Sequence, residues 1–204
     1  MNVAVVGGTG DFGANLAARL VEAGQDVVVG SRDRDRAQAA AAEIGAGGAT
    51  NAEAVAGADL VVLAVKAEAA LATASELAPA IAVPVLSVAS ELRFTKAGVF
   101  PGDDERSLAE RTQDLLNAPV VAGLHSLAAA TLAGGKADGD ALVCGDDADA
   151  KQLALELASL VVTGRGLDAG PLASARALEG LTAVIVNLNK RYRAHAGVRV
   201  TGLA

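Results

Sequence analysis

Short apolar runs alternate along this chain with longer segments in which apolar residues recur every three or four positions. The first run, 2–6, precedes a segment with Phe12, Leu16 and Leu20 at helical spacing, which Gly24 ends. The remaining pattern predicts strands at 26–29, 59–65, 83–88, 119–124 and 142–144, and helices at 37–44, 51–57, 68–77, 105–116 and 148–161. Because strands alternate with helices, we expect an α/β fold built on a mostly parallel sheet.

The loop between the first strand and the first helix carries the pattern Gly-x-Gly-x-x-Gly at Gly8, Gly10 and Gly13. In dinucleotide-binding sites the first glycine permits a tight turn, the second lets the backbone approach a pyrophosphate, and the third allows close packing of helix and sheet. A purely structural glycine-rich turn is the alternative. The flanking strand and helix favour a nicotinamide coenzyme on a Rossmann-like, doubly wound fold.

The end of the second strand indicates which coenzyme is bound. An NAD site has a carboxylate there for the ribose 2′-hydroxyl, and this chain has Ser31 instead. If a helix begins just after Ser31, then Arg32 and Arg36 lie about one turn apart on the same side, where two guanidiniums suit a 2′-phosphate. The alternative is a solvated helix start with Asp33 and Asp35 at its positive end. The sequence therefore favours NADP over NAD.

The last third of the chain contains the longest predicted helix, 173–195. Its apolar residues recur at spacings of three and four and are Leu178, Leu181, Ile185, Leu188 and Tyr192. Two heptads are too few for a free coiled coil, so we expect burial between body and appendage or between subunits. The predicted organisation is an NADP-binding Rossmann-like domain, 1–172, and a small C-terminal helical segment, 173–204. Residues 93–105 are predicted to be a mobile or lid-like loop, and 133–139 a glycine-rich one.

Composition narrows the choice of partners. The chain has 204 residues, a formal net charge of −7 and a pI near 4.8, which disfavours a nucleic-acid partner. No apolar run approaches the length of a membrane span and no leader pattern is present, so we expect a cytoplasmic protein. The single cysteine, Cys144, lies in an apolar run and is expected to be buried. No His, Cys and carboxylate cluster has metal-ligand spacing, and no metal site is predicted.

Several segments together resemble the NADPH-dependent deazaflavin reductases, the coenzyme F420:NADP oxidoreductases. They are Gly7-Gly8-Thr9-Gly10-x-x-Gly13, Val29-Gly30-Ser31-Arg32, Leu124-His125-Ser126, Val143-Cys144-Gly145-Asp146-Asp147 and Leu167-Asp168-Ala169-Gly170-Pro171-Leu172 with Arg176. The likeness extends from the first strand to Asn187, and the Asp-Ala-Gly-Pro-Leu segment is more specific than the glycine pattern. The resemblance implies a Rossmann-like body, a homodimer, and hydride transfer between NADP(H) and the 5-deazaflavin coenzyme F420.

The resemblance also implies roles for individual residues. Those that would meet the pyrophosphate are Thr9, Gly10, Asp11 and Phe12, and those that would meet the 2′-phosphate are Ser31, Arg32 and Arg36. Those that would line the crevice beside ribose and nicotinamide lie in 65–67 and 87–90, and include Val65, Ala67 and Ser90. His125 would lie near the deazaflavin ring, and Thr182 is a second candidate for that position. His125 would act as the general acid for a ring proton. The structural alternative for His125 is a satisfied histidine at the end of a strand.

Two departures from the family pattern concern the second substrate. Members often carry Pro-Trp where this chain has Lys66-Ala67, and a proline-containing segment where it has 88–91. Both positions are expected to wall the pocket for the nicotinamide and the deazaflavin. Two other functions therefore stay open, an NADP-dependent reductase of another small acceptor and a non-catalytic module that senses NADP.

Overall fold

The computed structural model describes residues 1–203, and Ala204 lies outside them. The strands are β1 Asn2–Val6, β2 Asp26–Ser31, β3 Gly47–Thr50, β4 Leu60–Leu63, β5 Val85–Ser87, β6 Leu92–Thr95, β7 Gly98–Pro101, β8 Val120–Gly123, β9 Ala141–Gly145 and β10 Gly166–Asp168. The helices are α1 Asp11–Glu22, α2 Arg34–Ile44, α3 Asn51–Val55, α4 Ala67–Leu77, α5 Leu108–Gln113, α6 Ala129–Ala133, α7 Ala148–Val161 and α8 Ala175–Tyr192. A 3₁₀ turn, Leu172–Ser174, precedes α8.

Eight strands form one sheet in the order β10-β9-β8-β5-β4-β1-β2-β3. All neighbours pair in parallel except β8 and β9, which are antiparallel. The β1 strand is central, and the chain winds outward from it in both directions, first through β2 and β3 and then through β4, β5 and β8. The expected Rossmann-like, doubly wound fold is confirmed.

Both faces of the sheet are covered, as the uniformly apolar strands predict. In β1, Val3 and Val5 join the cluster under α1 and α7, whereas Ala4 and Val6 join the cluster under α4 and α5. Side chains alternate across a strand, so a strand buried on both faces is apolar at every position. Small residues dominate the helix faces, with Ala70 and Ala74 of α4 both buried. Helices of this kind pack closely on the sheet without aromatic side chains.

The predicted loop 93–105 is largely a β-hairpin, β6 and β7, so that expectation was wrong. Thr95 closes its turn, because its hydroxyl donates to the Gly98 carbonyl at 3.0 Å and accepts from the Ala97 N–H at 3.1 Å. Gly98 has a φ of 142°, which a residue with a side chain rarely adopts. Asn187 of α8 holds the hairpin through both backbone groups of Val99, at 2.9 and 2.7 Å.

Other boundaries also differ from the predictions. The edge strands β3 and β10 and the short helix α6 were missed, and α2 begins at Arg34 because the side chain of Asp33 caps its first turn. The helix α5 begins at Leu108 and not at 105, since Ser107 forms a capping box with Glu110, and it ends at Gln113 and not at 116. The helix α8 runs over Ala175–Tyr192 within the predicted 173–195.

The apolar stripe of α8 is buried along part of its length. Leu178 and Ile185 are 8% and 5% exposed, but Leu188 and Tyr192 are 40% and 69% exposed. Val184, on the same outer side as Leu188 by its spacing of four, is 53% exposed. The outer face formed by these three residues is therefore unpartnered within the chain.

No helix within residues 1–203 combines the length and the apolar character that crossing a bilayer requires. The same residues hold no group of His, Cys, Asp and Glu side chains able to bind a metal ion.

Candidate coenzyme-binding site

The predicted site residues follow the carboxyl ends of neighbouring strands. Strands β1, β2, β4, β5 and β8 run parallel, so their ends lie at one edge of the sheet. The segments that leave this edge begin with Gly7, Arg32, Ala64, Val88 and Leu124. In open α/β sheets, ligands bind in the crevice at this edge.

The loop from β1 to α1 requires glycine for reasons visible in its packing. Gly7 has a φ of 79°, and the N–H groups of Gly7 and Gly8 both donate to the Gly30 carbonyl at 3.1 Å. A Cβ on Gly13 would lie 2.7 Å from the Gly7 carbonyl oxygen, and one on Gly8 would lie 2.8 Å from that of Val5. The first and third glycines of the motif therefore permit close packing. A Cβ on Gly10 would meet nothing nearer than 3.5 Å, so this glycine leaves the loop surface bare.

The first turn of α1 faces this bare surface with its backbone donors. Gly10 is the N-cap residue and makes no side-chain capping bond. Asp11 is exposed, Thr9 is half-buried, and the Phe12 ring packs at the margin of the core. The backbone N–H of Phe12 is therefore available to a ligand in the first turn of α1. Free amides at the positive end of a helix suit a pyrophosphate, so the residues present fit a dinucleotide.

The end of β2 brings a hydroxyl and two guanidiniums to the same edge. Ser31 is buried and its Oγ accepts from the Asp33 N–H at 3.3 Å. Arg32 and Arg36 are exposed, but they do not share a helix, because α2 begins at Arg34. The expectation that both arginines lie one turn apart on a helix was therefore wrong. Arg32 belongs to the extended segment before the cap.

The third arginine of this segment has a different partner. Arg34 forms a salt bridge with Glu53 of α3, which is itself bonded to Thr50. Within residues 1–203, Arg32 and Arg36 form no such ion pair, so their guanidiniums face solvent. Unpaired arginines at the end of β2 suit a phosphate group, which they can bind through planar pairs of donors.

The ends of β4 and β5 supply small side chains. Val65 lies against the glycine loop, since a Cβ on Gly7 would be 2.7 Å from its Cγ1. Ala67 is the first residue of α4 and Ser90 follows β5. The hydroxyl of Ser87, at the end of β5, is buried and has no partner among the described residues. These residues are small, apolar or hydroxyl-bearing, which suits the wall of a coenzyme ring.

His125 is held after β8 by an unusual backbone conformation. The preceding residue, Leu124, has a φ of 64° although it carries a side chain, and it is buried in the core. Non-glycine residues in this region cost free energy and cluster at functional sites. His125 itself is 5% exposed. Packing of the Leu124 side chain therefore fixes the direction in which the chain presents His125.

The His125 ring belongs to a chain of hydrogen bonds. Its Nδ1 lies 3.1 Å from Ser90 Oγ, and Ser90 Oγ lies 2.8 Å from Thr182 Oγ1 on α8. Thr182 Oγ1 also donates to the His125 carbonyl at 2.8 Å. The structure thus brings together three predicted site residues. No sequence signal indicates these contacts, because 92 positions separate Ser90 from Thr182.

Burial changes the chemistry expected of His125. Desolvation lowers the pKa of its imidazole from 6.5 to about 4, because a charged ring would lose its hydration. The ordinary pKa on which the predicted general-acid role depended does not hold in this position. His125 is a neutral ring at physiological pH, and its Nε2 is buried without a partner among residues 1–203.

The Asp-Ala-Gly-Pro-Leu segment joins β9, α7 and the 3₁₀ turn. The Gly170 carbonyl accepts from the Gly145 N–H at 3.0 Å, and Gly170 has a φ of 98°. Asp168 accepts from the Gly170 N–H at 2.8 Å and pairs with Lys151 at 3.0 Å. This segment is therefore an architectural one, which shapes the turn that leads into α8.

Comparison with known proteins agrees with this geometry. Residues 2–90, from β1 to Ser90, match the family described as NADP oxidoreductase, coenzyme F420-dependent. The F420-dependent NADP reductase of Methanothermobacter marburgensis is 35% identical, covering 100% of this chain and 99% of that protein. The chain belongs to the F420-dependent NADP reductase family. The F420-dependent NADP reductase of Methanocaldococcus jannaschii is 31% identical with the same coverage. A proposed F420-dependent NADP reductase from Arthrobacter sp. FB24, known from its crystal structure, superimposes with a TM-score of 0.80 at 27% identity, and 99% of each chain is covered.

The departures from the pattern of the F420-dependent NADP reductases lie at the end of β4 and after β5. Lys66 is an exposed residue at the N-cap of α4, and Ala67 begins the helix. Glu91 pairs with Arg111 of α5 at 2.8 Å. The second departure therefore has a structural role at Glu91, whereas Lys66 stays free to face a ligand.

Proposed function

We propose that this chain transfers a hydride between NADP(H) and the 5-deazaflavin coenzyme F420. The observation that carries the proposal is the bare glycine loop at the start of α1, with Ser31 and two unpaired arginines at the same sheet edge. These groups suit a dinucleotide that bears a 2′-phosphate. The deazaflavin as second substrate is supported by the names of relatives that match the chain over its full length.

The side chains of the site bind and position rather than react. The α1 amides bind the pyrophosphate, Arg32 and Arg36 bind the 2′-phosphate, and Val65 and Ala67 wall the nicotinamide. The coenzymes supply the hydride chemistry when bound. Hydride transfer between two rings requires close stacking in a dry pocket and little acid–base help. A neutral, buried His125 is consistent with that requirement.

Isotope transfer tests the reaction. NADPH deuterated at the transferred position of C4 is expected to deliver its label to F420 without loss to water, because a hydride that passes directly between two stacked rings does not exchange with solvent. Mass spectrometry of the reduced F420 measures the label, and unlabelled NADPH in heavy water is the control.

Label recovered in water would exclude direct transfer. If NADPH binds but F420 gives no turnover, the proposal fails. The remaining functions are then a reductase of another small acceptor and a module that senses NADP. Turnover with another acceptor would indicate a different reductase, to which the exposed Lys66 could contribute. An absence of turnover with any acceptor would indicate a sensing module.

We also propose a homodimer that buries the outer face of α8. Val184, Leu188 and Tyr192 follow one another at spacings of four and are 53%, 40% and 69% exposed. Apolar residues contiguous on one helix face favour a partner surface. The division into 1–172 and 173–204 and the cytoplasmic location stay predictions.

A charge on this face is expected to dissociate the dimer. In the variant Leu188→Asp, the carboxylate would be buried without a partner at the interface, which costs several kcal/mol. Light scattering should show a halved mass while the circular dichroism spectrum is unchanged. The matched control is Ser75→Asp, at an exposed position of α4. A monomeric mass for the unmodified protein, or an unaltered mass for Leu188→Asp, would contradict this proposal.

A further inference from the structure

The hydrogen bonds around His125 determine where its proton lies. Thr182 has one hydroxyl hydrogen and donates it to the His125 carbonyl, which can only accept. At 2.8 Å from Ser90 Oγ, Thr182 Oγ1 must therefore accept from the Ser90 hydroxyl. Ser90 then has no hydrogen left for His125, so the contact of 3.1 Å requires Nδ1–H as the donor. The opposite tautomer would place two acceptor lone pairs against each other.

The second ring nitrogen is left as an acceptor. Nε2 of His125 is buried and has no hydrogen-bond partner among residues 1–203, and the side chain is 5% exposed. A buried acceptor without a donor raises the free energy of the protein, and a donor from outside the chain would remove that penalty. A protonated ring would be worse, because it would bury an uncompensated charge. The burial that lowers the pKa of His125 agrees with the neutral form.

We infer that Ser90 and Thr182 are positioning residues that hold His125 as its Nδ1–H tautomer, so that Nε2 accepts a hydrogen bond from an N–H or O–H group of a bound coenzyme. Leu124, the residue before His125, also contributes, since its left-handed conformation and buried side chain fix the backbone of the histidine. The identity of the coenzymes that could supply this donor rests on the proposed function. Ser90 and Thr182 therefore contribute to the site through His125, with their hydroxyl hydrogens already engaged.

The site would thus select for a donor at one position. A carbonyl oxygen placed against Nε2 would meet a lone pair, whereas an amide N–H or a hydroxyl would be bound. The nicotinamide carboxamide and the deazaflavin both carry such donors. Titration with each coenzyme alone distinguishes these two sources.

The tautomer can be measured directly in the free protein. The chain has two histidines, so a two-bond ¹H–¹⁵N correlation spectrum of the labelled protein contains two imidazoles. The exposed His195 is removed in the variant His195→Gln, which assigns the remaining signals to His125. At pH 7 the expected pattern has a protonated Nδ1 and an unprotonated Nε2. A protonated Nε2, or an imidazolium, would overturn the inference.

Two variants test whether the hydroxyls impose this state. Thr182→Val has the same shape without the hydroxyl, so it frees the Ser90 hydrogen to donate to Nδ1, and the Nε2–H tautomer should appear. Thr182→Ser keeps the hydroxyl and should restore the original pattern. Ser90→Ala removes the acceptor of Nδ1–H, and a mixture of tautomers is expected. An unchanged spectrum in both Thr182→Val and Ser90→Ala would show that neither residue positions the ring.

Titration with each coenzyme alone tests the hydrogen bond at Nε2 of His125. Adding NADP⁺ or F420 separately should shift the Nε2 resonance for the coenzyme that supplies the donor, and that coenzyme should bind Thr182→Val at least about tenfold more weakly. If neither coenzyme moves the resonance, the ligand contact is wrong. This result is independent of the isotope experiment, because a fixed tautomer without hydride transfer would reject the proposed function alone, and transfer without the tautomer would reject this inference alone.

Discussion

Replacing both Arg32 and Arg36 by alanine is expected to weaken NADPH binding at least about a hundredfold while leaving NADH binding nearly unchanged. Each lost charge-assisted contact to the 2′-phosphate should cost about 1.5–3 kcal/mol, and about 1.4 kcal/mol corresponds to a factor of ten. Both side chains are exposed at the end of β2, so their removal should not disturb the core. Calorimetric titration with each coenzyme measures the two affinities.

Arg34→Ala is the matched control for this experiment. Arg34 comes from the same segment and carries the same charge, but it is paired with Glu53. Its removal should leave the ratio of NADPH to NADH affinity almost unaltered. Equal losses for the two coenzymes in the double variant would reject the assignment of the 2′-phosphate to these arginines.

The sheet and its order of strands and helices could largely be predicted because their pattern is local. An apolar run such as Leu60–Leu63 is buried on both faces, and helical spacing marks α1 and α7. The hairpin of β6 and β7 could not be predicted, since its exposed Phe94 and Phe100 give no alternation toward a core. What holds it is Asn187, which is 88 positions away from Val99.

The edge strand β3 also depends on contacts that are distant in the sequence. Three of the four residues of β3 are glycine or alanine, which are poor strand formers, but Gly48 allows α2 to approach so closely that a Cβ would lie 2.6 Å from the Gln38 Cα. Its pairing with β2 depends on this tertiary packing and not on local propensity. The antiparallel direction of β9 likewise depends on the path of the chain and not on its apolar residues.

In the candidate site too, the residues that follow from local motifs could be predicted and those that depend on tertiary packing could not. Motif spacing predicted the positions of the glycine loop and of Ser31, because each follows directly from a strand end. The position of Arg32 outside α2 was missed, although Asp33 is a strong capping residue and could have indicated it. The left-handed Leu124 and the contacts of Ser90 and Thr182 have no sequence signal, since they arise only when α8 packs on the sheet.

Acid is expected to destabilise this protein through His125 between about pH 6.5 and pH 4. The unfolded imidazole has a pKa of 6.5 and the folded one a pKa of about 4, because burial disfavours the charged ring. In this interval the unfolded state binds the extra proton, so stability rises with pH and its full value is present above about 6.5. At about 1.4 kcal/mol per pKa unit, the loss on going from pH 7 to pH 4 is about 3 kcal/mol.

The measurement is a comparison of urea unfolding across pH for the unmodified protein and His125→Gln, which is neutral throughout. Carboxylates whose pKa is lowered in the fold, such as Asp138 and Asp140, contribute equally to both proteins and cancel in the difference. The remaining difference should fall by about 3 kcal/mol as the pH decreases to 4, and level off below it. His195→Gln makes the same substitution at the other, exposed histidine and is the matched control. Parallel curves for the unmodified protein and His125→Gln would mean that the ring is hydrated in the fold, and Nε2 would then already have water as its partner.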